Sequence, residues 1–194
     1  MVEMAKGGVP GGYPVSTVNV AREIVRSNVV LQLKAWAAQL VEMLDRDALR
    51  GASVSVRQMN HMVATGEGAG LHNMALEDFV EVVEYDPVRH VALVIGMRDA
   101  PSSVPVHWLV HRVFPGAEGV AILPFHVVGE VLRLPGAPRG SFEEAMAAVE
   151  VLKGRGKQAL LGPALATLEP LGTVVVVPPG GDPASVLSLY MDDG

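Results

Sequence analysis

The spacing of apolar residues changes along the chain, and each change predicts an element. In "VNVAREIVRSNVVLQLKAWAAQLVEMLDRDAL" the apolar positions Val30, Leu33, Trp36, Ala37, Leu40, Val41 and Leu44 recur at helical intervals. That spacing predicts one or two helices over roughly 18–49. "ASVSVRQ" alternates small or polar residues with Val, and "HMVATG" follows after a short turn, so the two predict a β-hairpin. "ALEDFVEVVEYDPVRHVALVIGM" opens with a helical turn and continues as two strands around Asp86-Pro87. "SSVPVHWLVHRVF" reads as a helix capped by Ser102 or Ser103, with Pro105 in the first turn, where a missing N–H costs little.

Beyond it, "EGVAILPF" is a strand, and "SFEEAMAAVEVLKGRG" is a helix with Ser141 as N-cap and Glu144 three residues on. "QALLGPALATLEPLGTVVVVPP" supplies one or two strands, and "DPASVLSLYMDD" a closing helix capped by Asp182 with Pro183 at its first position. Helices alternating with mixed strand runs predict an α/β sandwich around a mainly antiparallel sheet. The Gly- and Pro-rich residues 1–17 are expected to form a flexible arm, and 18–194 a single domain.

Composition narrows the function classes. Of the 194 residues, 49% are hydrophobic and only 19% charged, which points to apolar surface covered by subunit contacts. The apolar runs "VALVIGM" and "GTVVVVP" are strand-length, far short of a bilayer span. Fifteen Lys and Arg against 21 Asp and Glu give a net charge of −6, with the basic residues scattered. Nucleic-acid binding needs a clustered basic face and is not expected. "MVEMAKGGVPGGYPVS" lacks the charged-then-apolar pattern of a secretion signal, so a cytoplasmic setting is expected. With no cysteine there is no thiolate to attack a substrate or bind a metal.

Histidine is the remaining versatile side chain, and "PSSVPVHWLVHRVFPGAEGVAILPFH" holds three of the six. His107 and His111 are four apart, so they share a helix face and could pair on a metal, with His126 as a third ligand after a register slip. The plainer reading gives them structural or surface roles. "HMVATGEGAGLH" has glycine spacing suggestive of phosphate binding but lacks the Gly-Lys and strand–loop–helix context of a P-loop.

The order of the pieces resembles the class II aldolase/adducin family, which includes fuculose-phosphate and ribulose-phosphate aldolases. "ASVSVR" is similar to the family's Asn-x-Ser-x-Arg strand, and "MVATGEGAGLHNMALEDFVEV" to its next strand and Thr-x-x-Gly loop. "PSSVPVHWLVHRVFPGAEGVAI" resembles its Ser-Ser-Glu, helix, turn and buried strand, and "LGTVVVVPPGGDPASVLSLY" its closing His-Gly strand and helix. The resemblance covers about residues 20–191. It implies a three-layer α/β/α sandwich, a homo-oligomer (a tetramer) and a metal-dependent aldol cleavage. In that chemistry three histidines hold a divalent metal, usually zinc, which stabilises an enediolate while a glutamate moves the proton.

Carried onto this chain, those positions fall on residues that cannot do the work. The His-x-His pair falls on Ile122 and Pro124, the late histidine on Leu171, and the acid/base glutamate on Val104. In the phosphate-binding cleft Ser102, Ser103 and Gly68 match, Ser53 stands where the family has Asn, and Glu67 replaces a hydroxyl residue. A carboxylate beside a phosphate costs on the order of 1 kcal/mol at surface dielectric, and more if dry. Two readings follow. The first is a catalytically degenerate protein that binds, scaffolds or regulates, as adducin does, with a small-molecule ligand and no metal. The second is a sugar-phosphate aldolase or epimerase with zinc or another divalent metal relocated to His107, His111 and His126, assisted by Glu67 or Glu118.

Overall fold

The structure, a computed structural model, describes residues 13–127, 131–134, 136–154 and 163–191. Its elements in chain order are β1 (Ser16–Ala21), α1 (Val29–Met43), β2 (Ser53–Gln58), β3 (His61–Thr65), β4 (Phe79–Asp86) and β5 (Val91–Gly96). They continue as α2 (Val104–Val113), β6 (Gly119–Leu123), β7 (Val131–Arg133), α3 (Phe142–Gly154), β8 (Ala164–Glu169), β9 (Gly172–Val177) and α4 (Pro183–Met191). One sheet joins all these strands in the order β1-β5-β4-β3-β2-β6-β9-β8-β7. Only the two outer pairings, β1 with β5 and β7 with β8, are parallel. The mixed, mainly antiparallel sheet is thus as the hydrophobic pattern predicts.

Helices cover both faces, which makes three layers. On one face α1 and α4 bury Leu33, Trp36, Leu40 and Leu187 against Val54, Val56, Val175 and Val177. On the other, α2 and α3 bury Val110, Phe114, Ala148 and Leu152 against Ile122, Val174 and Val176. The pleat explains why "GVAIL" has no polar position: Ala121 and Leu123 face the α1 side, Val120 and Ile122 the α2–α3 side. A strand buried on both faces must be apolar throughout.

The N-terminal elements differ from the sequence expectation. Residues 16–21 form a strand rather than the start of a helix, and α1 begins only at Val29. "STVNVA" carries a period-2 alternation of β-branched residues, a strand signal masked by the helical run behind it. Of the expected arm over 1–17, residues 1–12 lie outside the described residues. Tyr13 donates its amide to the Arg139 carbonyl at 2.6 Å, and Ser16 donates to His90 at 3.0 Å. The expected hairpin, both central strands, and the helices over Val104–Val113, Phe142–Gly154 and Pro183–Met191 are all present.

Two glycines mark where backbone and side chain meet most closely. A Cβ on Gly119 would stand 2.2 Å from the Trp36 ring, so the indole lies directly on the first residue of β6. A Cβ on Gly172, whose φ is +104°, would stand 2.1 Å from the Leu123 carbonyl oxygen. Gly119→Ala should therefore cost about 1–3 kcal/mol by overpacking, read as a lower urea midpoint. Trp36→Leu in the same chain should recover part of that loss. Simple additivity of the two substitutions would show that the indole is not what crowds β6.

Candidate functional site

The N-terminus of α2 is fixed to the sheet by a line of buried polar groups. Ser53 and Ser55 alternate with Val54 and Val56 along β2, so both hydroxyls face α2. His107 Nε2 lies 2.8 Å from Ser53 Oγ, and its Nδ1 lies 2.8 Å from Ser55 Oγ. The line continues from Ser55 Oγ to His111 Nε2 at 2.9 Å and from Ser53 Oγ to Ser103 Oγ at 2.8 Å. Each neutral imidazole donates from one nitrogen and accepts at the other, and each hydroxyl can donate once and accept twice, so neutral groups fill the line. The four-residue spacing of the histidines places both rings over one strand, which is its structural meaning.

Burial holds both imidazoles neutral. His107 is completely buried, and desolvation, reinforced by His111, pushes it down to about 3. His111 is likewise pushed to about 3 by desolvation and by the Arg57 charge, with the Ala117 carbonyl opposing. Arg57, at the far end of β2, closes the helix. Its Nε donates to the Ala117 carbonyl at 3.0 Å, and its Nη2 donates to the carbonyls of His111 and Phe114. A guanidinium on the last carbonyls of a helix offsets the negative end of the dipole.

At the opposite end of α2, the turn that the resemblance assigns to phosphate binding is occupied by a side chain of the protein itself. Glu67 Oε2 accepts the Ser102 amide at 2.6 Å, the hydrogen bond a bound anion would take at this turn. Burial raises the Glu67 pKa, the Ser102 hydrogen bonds oppose that rise, and the Asp99 charge adds to it. Its loop is tied down: Glu67 N donates to Asp99 O at 2.9 Å, and Arg98 pairs with Asp78 at 2.7 Å. Ser53 thus meets Ser103, and Glu67 meets Ser102, with Gly68 exposed next to Glu67 in the chain.

Two of the three positions that the resemblance assigns to metal ligands are packed into the core. Ile122 and Leu171 are each 4% exposed and share one apolar cluster with Leu134 and Leu168. Ile122 is the register partner of Ser53, and the β8–β9 turn at Pro170-Leu171 folds onto Leu123 and Pro124 through Gly172. Pro124 itself is exposed. Val104 is fully buried but in a separate cluster with Met62, Val80 and Val94. Aliphatic carbons offer no lone pair, so these residues do not fit a metal. Nor does a substitute set form: among the described residues no group of three or more His, Asp or Glu could hold one. His107 has both nitrogens engaged with serines, and His126 lies beyond β6, where Val127 N is tied to Thr173 Oγ1 at 3.1 Å. Glu118 accepts hydrogen bonds from Gln32 and Gly180 and holds α1 to the β9–α4 loop.

One element without a counterpart in the sequence pattern is the strap that leads into α3. Gly140 packs against Ser102, a Cβ there standing 3.3 Å from the Ser102 carbonyl oxygen, while Arg139 donates to the Pro170 carbonyl. The strap therefore runs from the Ser102 turn to the Leu171 turn. Beneath it Glu144 is 1% exposed and its pKa is raised by burial; Oε2 accepts the Gly140 amide at 2.8 Å. Its Oε1 has no hydrogen bond, only the Arg139 guanidinium 3.5 Å away. Ser141 Oγ caps α3 by accepting the Glu144 amide at 3.1 Å, as the sequence predicts. The hold of the same Glu144 on the strap has no sequence signal beyond that cap.

Neither a protein-family model nor a curated protein sequence matches the chain. Solved structures do. An L-fuculose 1-phosphate aldolase superposes with a TM-score of 0.60 at 16% identity, covering 85% of this chain and 82% of that one. The L-fuculose-1-phosphate aldolase from Thermus thermophilus gives 0.58 at 16%, covering 86% and 87%. A sugar-phosphate aldolase from Thermotoga maritima gives 0.58 at 8%, covering 86% and 93%. The chain therefore has the class II aldolase fold.

The buried histidine pair makes acid stability a test of this geometry. Each imidazole titrates near 6.5 when unfolded and at about 3 when folded, so below pH 6.5 the unfolded chain takes up protons first. Stability should fall as pH drops from about 6.5 towards 3, by up to ~1.4 kcal/mol per pH unit for each histidine. His111→Phe should flatten the dependence of unfolding free energy on pH by close to one proton over that range. An unchanged slope would mean that His111 is not held neutral in the fold.

Proposed function

We propose that this chain is a catalytically degenerate member of the class II aldolase/adducin group, acting as a binding, scaffolding or regulatory homo-oligomer in the cytoplasm. It carries out no metal-dependent aldol cleavage and has no nucleic-acid or membrane partner. Among the described residues no helix is long and apolar enough to cross a membrane, which agrees with that reading.

The observation that carries the proposal is the Glu67 carboxylate seated on the Ser102 amide. A substrate phosphate would meet a fixed negative charge where it needs donors. The side chains at the ligand positions point the same way, because Ile122 and Leu171 contribute to the core rather than to an open centre. A protein still selected for aldol chemistry has no reason to place aliphatic carbon at the three ligand positions and at the proton-transfer position together. The tetramer rests on resemblance, supported by the apolar composition and by exposed Val18, Val20 and Leu31.

Elemental analysis of the purified protein should find no stoichiometric zinc or manganese, and retro-aldol assays on small sugar phosphates no rate above background. Bound metal that is lost in His126→Ala or His107→Ala would favour the relocated site instead. Glu67→Thr restores a hydroxyl and removes the charge. Inorganic phosphate at millimolar concentration should then shift the Ser102 and Ser103 amide resonances of the variant and leave the parent chain unchanged. Equal response in both would remove Glu67 as the occupant. Light scattering on a sizing column should give four times the chain mass, and a monomer would sink the oligomer.

A further inference from the structure

A second candidate site lies apart from the Ser102 turn. It is a separate cleft of about 660 Å³ between the β4–β5 turn and the start of α3. Its size falls in the range of small-ligand sites. Tyr13, His90 and Phe142 supply ring surface, Pro87 and Pro138 supply apolar edges, and Glu143 supplies the one carboxylate. Among the described lining residues there is no Lys or Arg.

His90 shows that this wall is built rather than incidental. It sits at φ +55°, a left-handed position that Gly or Asn occupies with less strain. Its ring is nonetheless 7% exposed and fully engaged. Nε2 lies 3.2 Å from the Tyr13 carbonyl, which can only accept, so Nε2 carries the proton. Nδ1 lies 2.8 Å from the Tyr85 hydroxyl. Tyr13 also lies against the imidazole, ring centroids 4.7 Å apart, and Tyr85 approaches Phe142 with centroids 6.4 Å apart. The rings are held by one another. Tyr85 is itself pushed up to about 12, first by burial and then by Glu143 and Asp86, so its hydroxyl stays protonated. Glu143 is the one acidic side chain among the described lining residues.

Aromatic faces that hold a quadrupole-negative surface, beside a carboxylate and with no Lys or Arg among the described lining residues, suit a positively charged organic group. An anion would meet the Glu143 charge with no donor to offset it, and a neutral ligand would leave that charge unused. From this complementarity we propose that the Tyr13–His90–Phe142–Glu143 cleft binds a small organic ammonium ion, its cation over the Tyr13 and Phe142 rings and against Glu143. The site is independent of the Ser102 cleft and of the reading given to it.

Benzyltrimethylammonium is a suitable probe, with benzyl alcohol and benzoate as neutral and anionic controls, followed by amide NMR shifts on the full chain. The ammonium should give saturable shifts centred on Val88, His90 and the residues from Ser141 to Phe142, and both controls should bind at least about tenfold more weakly. The E143Q change falls on an exposed first turn and should weaken ammonium binding about tenfold while leaving shifts elsewhere in the spectrum unchanged. Phe142→Leu keeps apolar volume, removes the ring and should cause a similar loss. Absence of saturation, shifts confined to another region, equal binding of benzoate, or undiminished binding by both variants would each overturn the proposal.

Discussion

The fold depends on how a polar helix face is tied to the middle of the sheet. β2 is a central strand, and its Ser53 and Ser55 hydroxyls meet His107 and His111 of α2 in the buried interior. A buried hydroxyl or imidazole nitrogen left unpaired would cost roughly 1–3 kcal/mol, and of these side-chain groups only His111 Nδ1 is left without a hydrogen bond. Because hydrogen bonds are directional where apolar contacts are not, the line fixes the rotation and height of α2 to a degree that Val106 and Val110 alone would not. Arg57 completes the constraint from the other end by binding three carbonyls at the helix C-terminus.

Everything at the cleft follows from that placement. With α2 fixed, the Ser102 amide has one direction to face, and Glu67 meets it across the loop. The strap from Arg139 to Gly140 then spans from Ser102 to Pro170, with Glu144 buried beneath. Ile122 of β6 and Leu171 of the β8–β9 turn, the positions that the resemblance assigns to metal ligands, both pack into the α2–α3 core. Burying each such side chain is worth roughly 1.5–3 kcal/mol, a gain that a polar, open centre forgoes. The residues that remove the ligating atoms are the same ones that supply the packing.

How much of this is legible in the sequence depends on the residue. The alternation in "ASVSVR" and the Val-rich runs signal strands because period 2 is a local property. Ser141 and Glu144 signal the α3 cap because a cap is set by neighbours three residues apart. The β1 strand escapes because its signal is short and abuts a long helical one. The His107–His111 spacing shows a shared face but not what that face meets; a metal and two serines fit the same four-residue interval. Glu67 stands out as a misfit in a phosphate-binding cleft, yet its bond to an amide 35 residues away is invisible in one dimension.

By itself, the sequence determined the element types other than β1 and β7, the mixed α/β class and the absence of ligating atoms at Ile122, Pro124 and Leu171, since these rest on local periodicity and on side-chain chemistry. Only the tertiary structure decided which polar groups satisfy one another. It set the Ser53–His107–Ser55–His111 line, the seat of Glu67 on Ser102, the strap over the cleft, and the ring of Tyr13, His90 and Phe142. Those pairings join residues far apart in the chain, and the physical reason is directional. A hydrogen bond or a ring contact exists only once the sheet has brought both partners to within a few ångströms in the correct orientation, and nothing in a linear spacing specifies that.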